Sequence, residues 1–170
     1  MKKLAFIFLI GIIFISCSKE KDNPYTRNEL KYDLFQSSDF NYTGTLSVKE
    51  LVGGELELSL ELIGQKGDTD YFFPAHFHFG SYDAPNSPIA FLLNPIDIKT
   101  LKSVTVLGNL STGTKLSFDD FRTFDGHIKV HLADSGPEYQ IILVAGNVGK
   151  NDNRPEAFLK ENMTLCSPYF

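Results

Sequence analysis

The chain has 170 residues and a formal net charge of −5 at neutral pH, a size that fits one domain. Its composition, 42% hydrophobic and 22% charged, is that of a globular protein and excludes wholesale disorder. The acidic balance argues against nucleic-acid binding, which requires a basic surface. Two cysteines are too few for a disulfide-rich scaffold.

The first 16 residues have the features of a secretory signal peptide. Lys2 and Lys3 are followed by an apolar run over residues 4–15, which is too short to span a bilayer of about 30 Å. The run leads into Ile15-Ser16-Cys17, which resembles a bacterial lipobox, where the cysteine carries the lipid. The sequence predicts a membrane-anchored lipoprotein of the bacterial cell envelope, lipidated at Cys17 and facing the periplasm or the cell surface. The alternative is a non-lipidated signal peptide with a chance cysteine.

The polar residues after the lipobox predict a flexible tether, so we assign residues 17–30 to the lipidated cysteine and its tether. Residues 31–152 are predicted to form a single β-rich domain. Residues 153–170 are predicted to be a C-terminal tail or an edge strand.

Short alternating or apolar runs separated by turn residues indicate strands along the body of the chain. Residues 40–51 end at a Gly-Gly hairpin signal, and residues 56–62 alternate leucine with polar residues. Further strands are predicted at 71–80, 89–93, 102–107, 126–133 and 139–145. Residues 117–124 are as consistent with a short helix as with an irregular crossing. The pattern predicts an all-β fold of about seven or eight antiparallel strands, a sandwich or a small barrel.

All four histidines lie in two of these strands. His76 and His78 share one strand face, and His127, Lys129 and His131 share one face of the other strand, opposite aromatic or aliphatic residues. We therefore expect the imidazoles to point outward as surface groups, whose replacement would cost little stability. His76 and His78, about 7 Å apart at Cα, suit one metal ion, and His131 or His127 could add a third ligand. The alternative is that all four are solvated surface histidines.

Two motifs carry a family resemblance. PAHFHFGSYDAPNSPIAFLLNP, residues 74–95, resembles the strand–loop–strand of chordin-type (CHRD) domains in bacterial lipoproteins. FDGHIKVHLADSGPEYQIILVAGNVGKN, residues 124–151, resembles the second hallmark of that family. The resemblance runs over about residues 40–151. The same motifs are similar to copper/zinc superoxide dismutases, in which an HxH strand and a later histidine bind copper. The resemblance implies an Ig-like Greek-key β-sandwich that groups His76, His78 and His131 at one place.

The departures from the dismutases bear on function. The chain has no histidine between His78 and His127, so the bridging and zinc histidines of that family have no counterpart. Asn151 stands at the position of the substrate-guiding arginine, with Arg154 nearby. We therefore predict binding or storage of a transition metal, with copper favoured over zinc, and no turnover. The alternatives are a structural, adhesive or partner-binding module without metal, and a weak dismutase-like redox enzyme.

The second cysteine, Cys166, is the only thiol left if Cys17 is lipidated. We expect it to be buried and inert. The alternatives are pairing between molecules, or a soft-metal site near Met163 in which the tail covers the metal face.

Overall fold

Eight antiparallel strands dominate the computed structural model, which describes residues 23–166. The strands are β1 (Tyr25–Gln36), β2 (Thr43–Leu51), β3 (Leu56–Ile63), β4 (Phe72–Phe79), β5 (Ile89–Asp97), β6 (Lys102–Leu107), β7 (Asp125–His131) and β8 (Ile142–Gly149). One short helix, α1 (Phe118–Thr123), precedes β7, and three 3₁₀ turns lie at Pro137–Gln140, Pro155–Ala157 and Lys160–Asn162. Within residues 23–166, no helix has the length and apolar character needed to cross a membrane.

The strands close into one barrel in the order β1-β2-β3-β6-β5-β4-β7-β8. The end of β1 leaves β2 and pairs with β8, through Phe35 opposite Ala145 and Gln36 opposite Val144. On the other side the ring is completed where Asp97 of β5 pairs with Lys102 of β6. The all-β class and the number of strands are confirmed. The two separate sheets of the predicted sandwich are replaced by a closed barrel, because these two short pairings join what would otherwise be free edges.

The barrel interior is filled by the apolar residues of each alternating strand. Leu46 and Val48 of β2 are completely buried, and Leu58 of β3 is 1% exposed. Helix α1 adds Phe121, whose ring stacks on Phe77 of β4 with 5.5 Å between the ring centroids. Residues 117–124 therefore form the helix rather than the irregular crossing. In a capping box, the Ser117 hydroxyl oxygen accepts from the Asp120 N–H and the Asp120 carboxylate accepts from the Ser117 N–H.

The N-terminal part of the described chain differs from the sequence prediction, and the C-terminal part takes the first of the two predicted forms, a tail. Residues 25–30, assigned to the tether, belong to β1, because this polar stretch obtains its hydrogen bonds from β2 and its Tyr25 hydroxyl donates to Glu57. Residues 153–166 contain two 3₁₀ turns and no edge strand. The predicted signal peptide and Cys17 lie outside the described residues.

Candidate metal centre

The histidine face is built by two neighbouring strands. β4 and β7 pair antiparallel, with His76 opposite Lys129 and His78 opposite His127. Their intervening residues, Phe77 and Ile128, are also paired and are completely buried in the barrel core. Because side chains alternate across a strand, the imidazoles lie on the outer face of the barrel wall, as the alternation predicts.

This outer face is nevertheless buried, which corrects the prediction of surface histidines. His76 is 5% exposed, and His78, His127, Lys129 and His131 have no exposed surface. The cover comes from segments outside the two strands. Ser87, Tyr139 and Cys166 are in direct contact with these histidines, and they belong respectively to the loop after β4, the turn before β8 and the C-terminal tail. Local alternation could not show this cover, because it is made by parts of the chain distant in sequence.

His76, His78, His131 and Cys166 converge on one point. Each offers one ligand atom, and these four atoms all lie within 4.8 Å of one another. The Cys166 Sγ is 3.5 Å from His78 Nε2 and 3.4 Å from His131 Nε2. The structure thus brings together the three histidines that the dismutase resemblance groups, and the tail adds a thiol. We call these four residues the His₃Cys cluster.

His127 lies beside the His₃Cys cluster and is not part of it. Its ring stacks on that of His78, with centroids 4.8 Å apart and planes 7° apart. Its Nδ1 is 2.7 Å from the carbonyl oxygen of Gly80. His127 therefore packs against one candidate ligand, His78, and is not among the four residues whose ligand atoms converge.

Backbone carbonyls also orient two imidazoles of the His₃Cys cluster. His78 Nδ1 is 2.8 Å from the Ser87 carbonyl oxygen, and His131 Nδ1 is 2.7 Å from that of Tyr139. A carbonyl only accepts, so each Nδ1 carries the proton and donates it, which leaves the Nε2 lone pair free to face Cys166. Metal-binding histidines are held in this way, by a hydrogen bond from the ring nitrogen that does not bind the metal.

Burial keeps the cluster uncharged when no metal is present. It lowers the pKa of His76 and His78 to about 3 and that of His131 to about 4, and neighbouring positive groups add to these shifts. Burial also raises the pKa of the Cys166 thiol, against a smaller lowering effect of nearby Lys129. At neutral pH the three imidazoles therefore need no deprotonation to bind a metal, and the thiol would release its proton on binding.

Thr164 fastens the tail that carries the thiol. Its backbone N–H donates to the Tyr82 carbonyl at 3.1 Å, and its hydroxyl donates to the Ala84 carbonyl at 2.7 Å. Its own carbonyl accepts a hydrogen bond from the buried Lys129 ammonium. These three contacts fix the chain two residues before Cys166. Cys166 is buried, as expected, and it lies where the alternative of a tail covering the metal face had put it, although it is 88 residues from His78 in the sequence.

No family model, curated protein or solved structure matches this chain. The chordin-type and dismutase-like resemblances therefore stay predictions. The functional argument rests on the geometry of the His₃Cys cluster.

Proposed function

We propose that this protein binds a transition metal ion, with copper favoured, through His76, His78, His131 and Cys166. The observation that carries the proposal is the approach of their four ligand atoms to within 4.8 Å of one another. Three imidazoles and one thiolate are a donor set of the kind that copper and zinc accept. The Nδ1 hydrogen bonds of His78 and His131 support it further, because they direct both Nε2 lone pairs at the thiol.

Copper is favoured over zinc by the chemistry of the donors. Among divalent ions of the first transition row, copper binds nitrogen and sulfur ligands more tightly than zinc does, and thiolate is also a preferred ligand of monovalent copper. Zinc accepts the same four-coordinate set and is the principal competitor. Four protein donors complete a tetrahedral set without an open position, which suits holding or storage of the ion better than turnover.

The setting that we propose is the bacterial cell envelope, with the domain anchored through lipidated Cys17 and similar in its two histidine motifs to chordin-type domains. The support is the basic start, the apolar run and the lipobox-like Ile15-Ser16-Cys17. Mass spectrometry of the N-terminal peptide from membranes tests this part separately. An acylated Cys17 as the first residue is expected, and an unmodified cysteine would contradict it.

Metal content after competition tests the binding proposal. The protein is equilibrated with equimolar copper and zinc, desalted and analysed by mass spectrometry for both metals. We expect one copper ion per chain, lost in Cys166→Ser and in His131→Asn. His127→Gln is the matched control, since it changes a buried imidazole of the same strand outside the His₃Cys cluster, and it should keep the metal.

The other outcomes separate the alternatives. A folded wild-type protein that keeps neither metal would exclude the metal site and leave a structural, adhesive or partner-binding module. Retention of copper by Cys166→Ser and His131→Asn alike would place the ion elsewhere. Rapid consumption of superoxide by the copper-loaded protein would favour the dismutase-like alternative over storage. Arg154 gives no support to the dismutase-like alternative, because its guanidinium forms an ion pair with Asp152 that offsets its positive charge. The distance between Arg154 Nη2 and Asp152 Oδ2 is 2.7 Å.

A further inference from the structure

A cavity of about 850 Å³ lies directly beside the His₃Cys cluster. His78 and Cys166 form part of its wall, so a molecule inside it would touch two of the four candidate ligands. Cavities of about 300–1,000 Å³ are the usual size of sites for small organic molecules in proteins. The cavity is therefore large enough for a ligand of its own in addition to a metal ion.

The remaining wall is mostly apolar and carries no formal charge. Its apolar part consists of Pro85, Pro88, Ile89, Ala90, Phe91, Leu92 and Leu165. Polar groups are limited to amides and hydroxyls, which Asn86, Asn109 and Ser111 supply among others. No Asp, Glu, Lys or Arg belongs to the described lining. A charged ligand would lose its hydration here without gaining a counter-charge, whereas an apolar ligand gains by leaving water.

We infer that this cavity binds an uncharged, mostly apolar small organic molecule against His78 and Cys166. The amides and hydroxyls of the lining would pair with one or two polar groups of that molecule and so fix its orientation. Binding of an uncharged, apolar molecule in the cavity is inferred from the lining residues alone. The statement that the molecule lies next to a metal ion rests on the function proposed above.

One segment connects the cavity with the His₃Cys cluster. Residues 85–88 line the cavity, and the Ser87 carbonyl within them accepts the hydrogen bond from His78 Nδ1. On the tail, Thr164, Leu165 and Cys166 also line the cavity. An occupant would therefore press on the groups that orient one imidazole and the thiol, and its binding is expected to change the spectrum of a bound metal.

Three related probes test the inference on the full chain: indole, which is uncharged, indole-3-acetate, an anion, and tryptamine, a cation. Binding to the metal-free protein is followed by titration. Indole should bind at least about tenfold more tightly than either charged probe. Ser111→Phe, at an exposed lining position, should weaken indole binding by about tenfold or more because the ring occupies the cavity. Ser135→Phe, exposed and outside the lining, should leave it unchanged.

Several results would overturn the inference. These are no indole binding, equal binding of the charged probes, and indole binding that Ser111→Phe does not weaken. Binding that appears only in a chain ending at Cys166 would show that residues 167–170 are the true occupant. In the protein loaded with divalent copper, indole should shift the thiolate-to-copper charge-transfer band, and an unchanged band would show that the occupant of the cavity does not affect the metal.

The two proposals fail in distinguishable ways. Selective indole binding by a protein that retains no metal would exclude the metal site and keep the cavity. Copper retention without indole binding would support the metal site and exclude the ligand in the cavity.

Discussion

The outer faces of the β3–β6 pair and of the β4–β7 pair differ in what covers them. On β6, Val104 and Val106 are each 51% exposed although they are apolar. On β7, Lys129 and His131 have no exposed surface although they are polar. Both faces are outward by the same strand alternation. Strand alternation therefore determines which side of the barrel wall a residue is on. Only the packing of the rest of the chain determines whether that side is exposed to solvent.

The covered face carries a free-energy cost that the solvated face does not. Burying imidazoles and an ammonium removes their hydration, so each has to be neutral, hydrogen-bonded or bound to a metal. The structure shows part of this compensation in the carbonyls of Gly80, Ser87, Tyr139 and Thr164, each of which is within hydrogen-bond distance of a histidine or lysine nitrogen. A polar face that is buried despite a large desolvation free energy is typical of a functional site.

The largest expected effect of this difference is acid unfolding of the metal-free protein. Burial holds the pKa of His76, His78 and His127 at about 3 and that of His131 at about 4, against 6.5 in the unfolded chain. Below pH 6.5 the unfolded state binds protons that the folded state does not, so stability falls with pH until the folded pKa values are reached. Each histidine contributes about 1.4 kcal/mol per pH unit in this window. Urea unfolding between pH 7.5 and 4.5, with a chelator present, measures the slope.

Three aspartates whose pKa values are lowered act in more acidic solution than this window: Asp120 through its hydrogen bonds with Ser117, Asp125 through its hydrogen bond from Asn151, and Asp152. The pKa of Asp152 is lowered to about 2 by Arg154, so its contribution is lost only in more acidic solution. A stability that is independent of pH between 6.5 and 4.5 would show that the β4–β7 face is as solvated as the β3–β6 face.

A smaller effect is expected from removing one imidazole of the covered face. His131→Ala should lower the free energy of unfolding of the metal-free protein by about 2–4 kcal/mol, because it leaves a gap and deprives the Tyr139 carbonyl of its donor. Ser59→Ala on the outer face of β3 is the control and should change it by at most about 0.5 kcal/mol. Denaturant titration at pH 7.5 compares them. Equal small losses would restore the expectation that these imidazoles are dispensable surface groups.

The smallest effect concerns an ion pair on the solvated face. Glu61 and Lys102 are opposite each other across β3 and β6, with 2.8 Å between Lys102 Nζ and Glu61 Oε1. More than half of each side chain is exposed, so solvent screens the attraction. A double-mutant cycle with Glu61→Gln and Lys102→Met should give a coupling of at most about 1 kcal/mol. A clearly larger coupling would mean that this face is covered as well.

From its amino-acid sequence alone the chain is assigned to the all-β class with the correct number of strands, and most strand positions follow. The sequence also determines which strand face carries each histidine. These are local properties, because a strand with one buried face repeats every two residues. The whole of β1 (Tyr25–Gln36) was missed, because its first half, residues 25–30, is mostly polar and the strand is formed through pairing with β2 and β8.

Only the tertiary structure decides that the barrel closes, that the histidine face of β4 and β7 is buried, and that Cys166 is the fourth candidate ligand. The barrel closes through two short pairings, of β1 with β8 and of β5 with β6, which no local sequence pattern predicts. The His₃Cys cluster exists because the tail returns across the β4–β7 face and is fastened at Thr164, which brings Cys166 to histidines far away in the sequence. Contacts of this kind depend on the packing of distant segments, and packing of distant segments leaves no periodic signal in the chain.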